Sequence, residues 1–303
     1  MTGLPHRLLV LAELEAAGLG PSAAQRAARR GDLVRVLPGV YAPAAWWHGL
    51  PERDRAYQGH VAVSLTAGIP PVFCRDSAAT VLGMRVLHRP MVPHVVQQSQ
   101  QGSRNNRHVI HHWAELPPTD VIEVDGFRAT SHARTALDCG RFLPLAPALT
   151  VVDHALRLGV SRQDLLTRCA GLPGRRGVRR AELVLGLADP RSESVGETLT
   201  RLVIVRAGLP LPELQVEVET DLGVFRPDFV WREARVVLEF DGMVKYSGVH
   251  GETAQVLIAE RRREKALTNR GWRVLRTDWA TVTQRPELLV SAVRRALAES
   301  ARR

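Results

Sequence analysis

Two carboxylates in the last third of the chain stand where phosphodiester chemistry would need them. Pro227-Asp228 lies in one segment that reads as a strand, and Val236-Val237-Leu238-Glu239-Phe240-Asp241-Gly242 places Glu239 in the next, after a run of apolar residues that points to a central, buried strand. A carboxylate there is costly unless it is paired, hydrogen-bonded or bound to a metal ion, so Glu239 needs a cation. Neighbouring strands bring Asp228 and Glu239 to one end of a sheet, where their hard oxygens would hold Mg2+ or Mn2+, with water and a phosphate completing the coordination. Such an ion polarises a phosphoryl group and activates a water. Lys245 is the nearest basic side chain for charge developing on the phosphate. The structural alternatives are a salt bridge of Asp228 with Arg226 or Arg235, an ion pair for Glu239 and plain solvation of Lys245.

The elements that must position these groups follow a regular order. A helix is expected from about Glu193 to Ala207, then strands at Leu214 to Thr220, Val224 to Val230 and Arg235 to Phe240. A long helix near Glu252 to Arg270, a strand at Trp272 to Thr277 and a closing helix near Pro286 to Ala301 complete the segment. Helix, three strands, helix, strand is the core order of restriction-endonuclease-like folds. Arg261, Arg262 and Lys265 put a basic face on the long helix that would follow a phosphate backbone, although the apolar positions Val256, Ile258, Ala259 and Leu267 demand a polar opposite side in any case.

The segment Glu193 to Leu297 resembles the Vsr-like (very-short-patch-repair) branch of the PD-(D/E)XK nuclease superfamily. Pro227-Asp228 matches the PD element and Glu239 the next acidic position. Asp241-Gly242-Met243-Val244-Lys245-Tyr246 and Gly271-Trp272-Arg273-Val274-Leu275-Arg276 match that branch as well. The resemblance implies a metal-dependent endonuclease in which Asp228 and Glu239 bind the ion. It also implies a role for Glu197 as the helical glutamate that precedes the sheet, although Ser194-Val195-Gly196-Glu197 equally fits a capping box. The chain departs from the pattern at Asp241, which stands two residues after Glu239 where the superfamily has lysine. Lys245 would then supply the ammonium, and Asp241 would be a further ligand or part of the turn before Gly242.

At the other end, Leu8, Leu11 and Leu14, with Leu9 and Ala12, recur at helical spacing from Pro5 to about Gly18. Ser22 is a suitable N-cap for a second helix running Ala23 to Arg30, Gly31 closes it, and Leu33 to Leu37 turns at Pro38-Gly39 into Val40-Tyr41 as a small hairpin. This is a winged helix-turn-helix pattern. Arg26, Arg29 and Arg30 fall within about one turn of the second helix, and Arg35 on the wing, a spacing that serves a DNA groove or a solvated face. Gly31-Asp32-Leu33-Val34-Arg35-Val36-Leu37-Pro38-Gly39-Val40-Tyr41 resembles the winged-helix segment of AbiEi-type antitoxin domains. The likeness continues loosely through Ser77 to Gly83, Asp125 to Thr130 and Ala133 to Asp138. It implies a transcriptional regulator of a toxin–antitoxin system, with a toxin as a partner.

Between the two ends the chain reads as mixed helix and strand. Helices are expected near Arg53 to Leu65, Arg75 to Leu82, Ala146 to Leu158 and Arg162 to Ala170, and strands at His94 to Gln97 and His108 to Trp113. His108, His111 and His112 cluster without a Cys or carboxylate at ligand spacing and read as satisfied or solvent-facing. Pro173-Gly174-Arg175-Arg176-Gly177 is a basic turn or a connector. The division is therefore a winged helix-turn-helix over 1–50, a mixed α/β region over 51–188 and an αβββαβ nuclease-like domain over 189–303, with the boundary at Asp189-Pro190.

The 303 residues carry 41 Lys and Arg against 31 Asp and Glu, a net charge of +10, which favours a polyanionic partner, duplex DNA first. No apolar run reaches the length of a membrane span, and Cys74, Cys139 and Cys169 form no Cys-x-x-Cys pair, so neither a membrane protein nor a disulfide scaffold is indicated and a cytoplasmic location is expected. Two functions remain. One is a metal-dependent nuclease guided by a DNA-binding module, and the other is a non-catalytic DNA-binding regulator of the antitoxin kind.

Overall fold

Leu9–Val10 forms a strand, β1, where the apolar spacing suggests helix. In the computed structural model, which describes residues 7–97, 107–242 and 261–300, Leu9 pairs with Tyr41 and Val10 with Val40. The expected helix is therefore confined to α1 (Leu11–Ala16), because sheet pairing and the core below it claim Leu8 and Leu9. Helix α2 (Pro21–Arg30) starts one residue before the expected Ser22 cap. Gly20 is its N-cap, and Pro21 sits at the first helical position, where its missing N–H costs nothing. Gly31 ends it at φ 84°. Strands β2 (Leu33–Leu37) and β3 (Val40–Pro43) follow, and the antiparallel order β1-β3-β2 completes a winged helix. Ala24 and Ala27 turn inward from α2 onto Leu14, Leu33 and Tyr41.

The chain divides into two compact units, Met1–Leu187 and Ala188–Arg303. After the winged helix, the first unit continues through α3 (Ala44–Gly49), α4 (Glu52–Thr66), β4 (Val72–Phe73), α5 (Arg75–Val81), β5 (His94–Gln97) and β6 (Ile110–Trp113). A one-turn 3-10 helix (Pro118–Asp120) leads into β7 (Val121–Val124) and β8 (Phe127–Thr130). Helices α6 (His132–Phe142), α7 (Leu145–Arg157), α8 (Arg162–Ala170) and α9 (Val178–Leu187) then close the unit. The sheet is mixed, in the order β6-β5-β4-β8-β7. β6 begins at Ile110, two residues later than expected. Asp125 and Gly126, both at positive φ (49° and 78°), make the tight β7–β8 hairpin that this residue pair favours. Helix α6 is absent from the sequence reading for a physical reason. Thr135 through Gly140 are all buried, and Thr135, Asp138 and Gly140 among them are weak helix formers that dilute the local signal.

The second unit runs α10 (Val195–Arg206), β9 (Glu213–Leu214), β10 (Val218–Thr220), β11 (Gly223–Phe225), β12 (Phe229–Trp231), β13 (Val236–Asp241), a helix over 261–269 (α11), β14 (Arg273–Asp278), α12 (Trp279–Gln284) and α13 (Pro286–Ser300). Its sheet has the order β14-β13-β12-β9, with β13 parallel to β14 and antiparallel to β12. The element order is the expected αβββαβ, but two of the three long strands are broken. Gln215, at φ 53°, separates β9 from β10, and Arg226-Pro227-Asp228 separates β11 from β12. Asp228 therefore lies just before a strand and not within one. Phe229, with no exposed surface, anchors β12 in the core, a burial worth about 1.5–3 kcal/mol.

One glycine has no substitute. Gly177 sits at φ 84° in the basic turn, and a Cβ there would fall 2.3 Å from the Arg141 carbonyl oxygen, while Arg141 Nε and Nη2 donate to Arg176 O at 3.2 and 3.0 Å. Gly177→Ala is expected to destabilise the chain by at least about 2 kcal/mol, since it adds a backbone clash to the left-handed strain. Gly159→Ala, at φ 93° but in open space, should cost only about 1 kcal/mol. Urea melts of both variants check this, and equal losses would show that the Arg141 contact is not what fixes the turn.

Candidate functional site

On the winged helix the geometry is set by which face of α2 is buried. Ala24 and Ala27 face the core, so Arg26, Arg29 and Arg30 stand exposed on the opposite side, with Arg35 exposed on β2. Arg30 pairs with Asp32 at 3.0 Å in an exposed ion pair. Arg26, Arg29 and Arg35 make no ion pair among the described residues. Arg29 and Arg35 line one open groove of about 520 Å3 with Gln25, Val34 and His48. All four arginines that the sequence suggests as groove contacts are exposed, and Arg30 is also paired with Asp32.

In the second unit Glu197 and Asp228 are joined through Gln215 beside the end of β13, and Glu239 on that strand is near enough to Asp228 to feel its charge. Ser194 caps α10 by accepting from Glu197 N at 3.1 Å, and the Glu197 carboxylate reaches back to Glu193 N at 2.7 Å. Gly196 makes the approach possible, because a Cβ there would stand 2.0 Å from the Phe240 ring. The same Glu197 oxygen accepts from Gln215 Nε2 at 3.1 Å, and Gln215 Nε2 also donates to Asp228 Oδ1 at 2.9 Å. Asp228 Oδ2 accepts from Phe240 N at 2.8 Å. Capping and cluster membership are therefore both true of Glu197.

The suggested salt bridges of Asp228 do not form. Arg226 pairs with Glu193 at 3.0 Å, and Arg235 donates to the Arg270 carbonyl. Glu239, whose side chain is 14% exposed, has its cation: Arg263 Nη2 lies 2.7 Å from Oε1, yet no described donor meets that oxygen in hydrogen-bond geometry. Arg263 also donates to Arg226 O and rests over the Phe225 ring. Asp241 is on the same strand face as Glu239, two residues on, and pairs with Arg276 at 3.6 Å. Lys245 lies outside the described residues. Arg261, Arg262 and Lys265 are exposed on α11 and do not join the cluster.

Sequence reading missed Gln215 and Arg263. The signal for Arg263 was its spacing, one turn before the buried Leu267, which turns it toward the sheet while its basic neighbours face solvent. Gln215 carried no such signal, since only its positive φ aims it at two carboxylates.

Desolvation dominates the electrostatics. Burial raises the Asp228 carboxyl above its ordinary value against the pull of Phe240 N–H, Gln215 and Arg263. Burial and then Asp228 raise Glu197, and burial raises Glu239 despite Arg263 and Arg276. Among the described residues no three metal-ligating side chains converge as a preformed cage. Magnesium and manganese do not require one, because they bind through one or two carboxylates, water and a substrate phosphate. The buried Glu239 oxygen lacking a directional partner, beside Asp228, fits that kind of ion.

Comparison with known proteins bears on both ends of the chain. Residues 6–44, the winged helix, match the family model described as "Transcriptional regulator, AbiEi antitoxin". The solved structure of the RV2827C protein from Mycobacterium tuberculosis aligns over 70% of this chain and 83% of its own, at 17% identity and a TM-score of 0.39. Two curated proteins of Mycobacterium tuberculosis, the uncharacterized proteins MT2308 (strain CDC 1551) and Rv2248 (strain H37Rv), are each 31% identical over 278 residues, which covers 89% of this chain and 94% of theirs. Since that likeness covers most of this chain and most of theirs, the chain belongs to the same family as these two mycobacterial proteins.

Proposed function

We propose that the chain is a DNA-binding transcriptional regulator of the antitoxin kind, with a toxin protein as a partner and α2 and its wing as the reading head. The observation that carries this is the match of residues 6–44 to a regulator family in a segment that folds as a winged helix. In support, Arg26, Arg29 and Arg35 stand exposed and unneutralised on the two elements that such a module presents to a groove and its flanking phosphates. The net charge of +10 adds a sequence-independent attraction to DNA.

A second reading concerns the Ala188–Arg303 unit, and the Glu197–Gln215–Asp228–Glu239 cluster favours it. In this reading the unit is a metal-dependent nuclease. Asp228 and Glu239 would hold Mg2+ or Mn2+, which supplies phosphoryl polarisation and an activated water when bound. Gln215 holds Glu197 and Asp228 in register, and Arg263, paired with Glu239, would have to yield to an ion held there. Asp241 stands where it would extend the carboxylate edge, and Lys245 is the candidate for a cation toward phosphate.

If α2 and the wing read DNA, the Arg26→Ala, Arg29→Ala, Arg35→Ala triple variant binds mixed-sequence duplex more weakly and with a shallower slope of log affinity against log salt. The slope should fall by about 0.9 for each phosphate that is no longer neutralised. Arg30→Ala alone should leave that slope unchanged, because Arg30 serves Asp32. Identical slopes for wild type and the triple variant would make the module a protein-docking surface instead.

For the nuclease reading, Mn2+ titrations of the full chain should show saturable binding that Asp228→Asn and Glu239→Gln abolish. The same variants should lose metal-dependent cleavage of DNA or RNA while keeping duplex binding. A wild-type chain that neither binds Mn2+ nor cuts would leave the regulator reading alone.

The cluster also has a metal-free signature. A carboxylate whose folded pKa is raised takes up protons on folding, so its contribution to stability declines as pH rises from the ordinary glutamate value of 4.5 through the raised one. Glu197→Gln keeps the oxygen that accepts from Glu193 N and Gln215 but removes the charge. The variant should be more stable than wild type at neutral pH, with the difference vanishing below the ordinary value. Denaturant melts across that range test this, and a pH-independent difference would remove Glu197 from the desolvated set.

A further inference from the structure

The mixed region of the first unit contains a cleft of about 450 Å3 that neither reading uses. It opens between the ends of β5 and β6 on one side and α6 and α8 on the other, and its size suits a small molecule. Its walls carry Arg75, Arg134, Arg141, Arg168 and Arg175, against the carboxylates Glu115, Asp120 and Asp138. Internal pairing accounts for part of that excess. Asp120 accepts from Arg134 at 3.1 Å and from Arg168 at 2.9 Å, and Asp138 meets Arg134 at 2.8 Å and Arg141 at 3.5 Å. Arg75 and Arg175 make no side-chain ion pair or hydrogen bond among the described residues.

Arg75 is unusual in two ways. Its backbone is left-handed (φ 54°), a conformation that costs about 1–3 kcal/mol for a residue with a Cβ and persists where surrounding structure imposes it, often at ligand sites. Its guanidinium lies 4.1 Å from the centroid of Phe142, and Arg141 stacks on the same ring at 4.7 Å, so two like charges meet at one aromatic ring. Beside them His112 Nε2 is buried without a hydrogen-bond partner. Burial, then Arg75, His94 and His111, lower that imidazole to about 4, so it is neutral at physiological pH and has a hydrogen-bonding position unfilled. Trp113, 43% exposed, adds a flat apolar surface to the wall.

The geometry points to a binding site for a small anionic ligand of about mononucleotide size, in which a phosphate or carboxylate is joined to a flat apolar body. The oxyanion meets Arg75 beside the His112 ring, and the body packs on the Trp113 side. A duplex backbone does not suit the cleft, because Arg134 and Arg141 are each only 12% exposed and sit too deep for phosphates on a rigid helix.

The test is calorimetric titration of the full-length chain with AMP, benzoate and adenosine, together with NMR of the histidine side chains. AMP or benzoate should bind saturably and shift the His112 imidazole resonance, and adenosine should bind more weakly. Binding of AMP but not benzoate identifies a phosphate ligand, and the reverse a carboxylate. Arg75→Gln should weaken binding about tenfold or more, and Arg75→Lys should recover part of that loss. The proposal is overturned if neither anion binds by about 1 mM, if adenosine binds as tightly as the anions, or if Arg75→Gln changes nothing. It is also overturned if duplex DNA expels the bound anion, which would make the cleft part of a DNA surface. If Arg75→Gln does not fold, the wild-type His112 shift decides alone: its absence on titration rejects the site.

Discussion

The carboxylate of Asp228 accepts from two directions, Phe240 N at 2.8 Å and Gln215 Nε2 at 2.9 Å, and one desolvated charge thereby ties together the ends of several elements. β12 begins at Phe229 opposite Leu238, so Phe240 N lies past the end of the ladder and would be left unpaired in a half-buried position. Asp228 fills that gap with its side chain. Gln215 does the same from the other side, and because its amide also holds Glu197, the start of α10 is fixed to the same point. Breaks in the strands at Gln215 and at Arg226-Pro227-Asp228 are therefore what carry the side chains into position, not defects in the sheet.

Asp120 in the first unit and Asp228 in the second are held in opposite ways. In the first, Asp120 is 4% exposed and two guanidinium groups close on it, so its charge is matched and the 3-10 turn, α6 and α8 are bound to one another. In the second, Asp228 and Glu197 share a neutral amide, and the guanidinium nearest to them, that of Arg263, is committed to Glu239. Neutral donors stabilise a carboxylate without cancelling its charge, so mutual repulsion and burial keep all of these groups above their ordinary values. Networks of the first kind hold a fold together. Those of the second kind hold charge in reserve.

Much of this was legible in the residues, and the exceptions have physical causes. Helices with one apolar face and a clear stop, such as α2 with Gly31, or α8 with Ser161 ahead of it, are readable because local chemistry and tertiary packing agree. Leu8 and Leu9 misled because an apolar pair satisfies a helix stripe and a strand core equally well. α6 was missed because its buried stretch carries Thr135, Asp138 and Gly140, which are weak helix formers and blur an apolar stripe. In the cluster, Asp228, Glu239 and Glu197 could be named from type and order, whereas Gln215 and Arg263 depend on a positive φ and on a helical phase that only the fold resolves. Of the three histidines read as satisfied or solvent-facing, His108 accepts from Arg107 at 3.0 Å, whereas the Nε2 of His112 is buried without a hydrogen-bond partner.

The contrast between the units bears on how a regulator and an enzyme are to be told apart in one chain. A sheet used only as a rigid platform gains nothing from three acids that burial and repulsion both penalise. Replacing them with matched pairs or apolar groups would make it more stable. Arg263 offsets one of the three, and it does so through an ion pair that leaves the Glu239 oxygen without a directional hydrogen bond, a weaker hold than the bidentate pairing a guanidinium can make. If the second unit binds a cation, as the nuclease reading proposes, Asp228 and Glu239 would be the groups to hold it and Arg263 the charge it would have to displace, whereas the exposed arginines of the winged helix belong to the other unit.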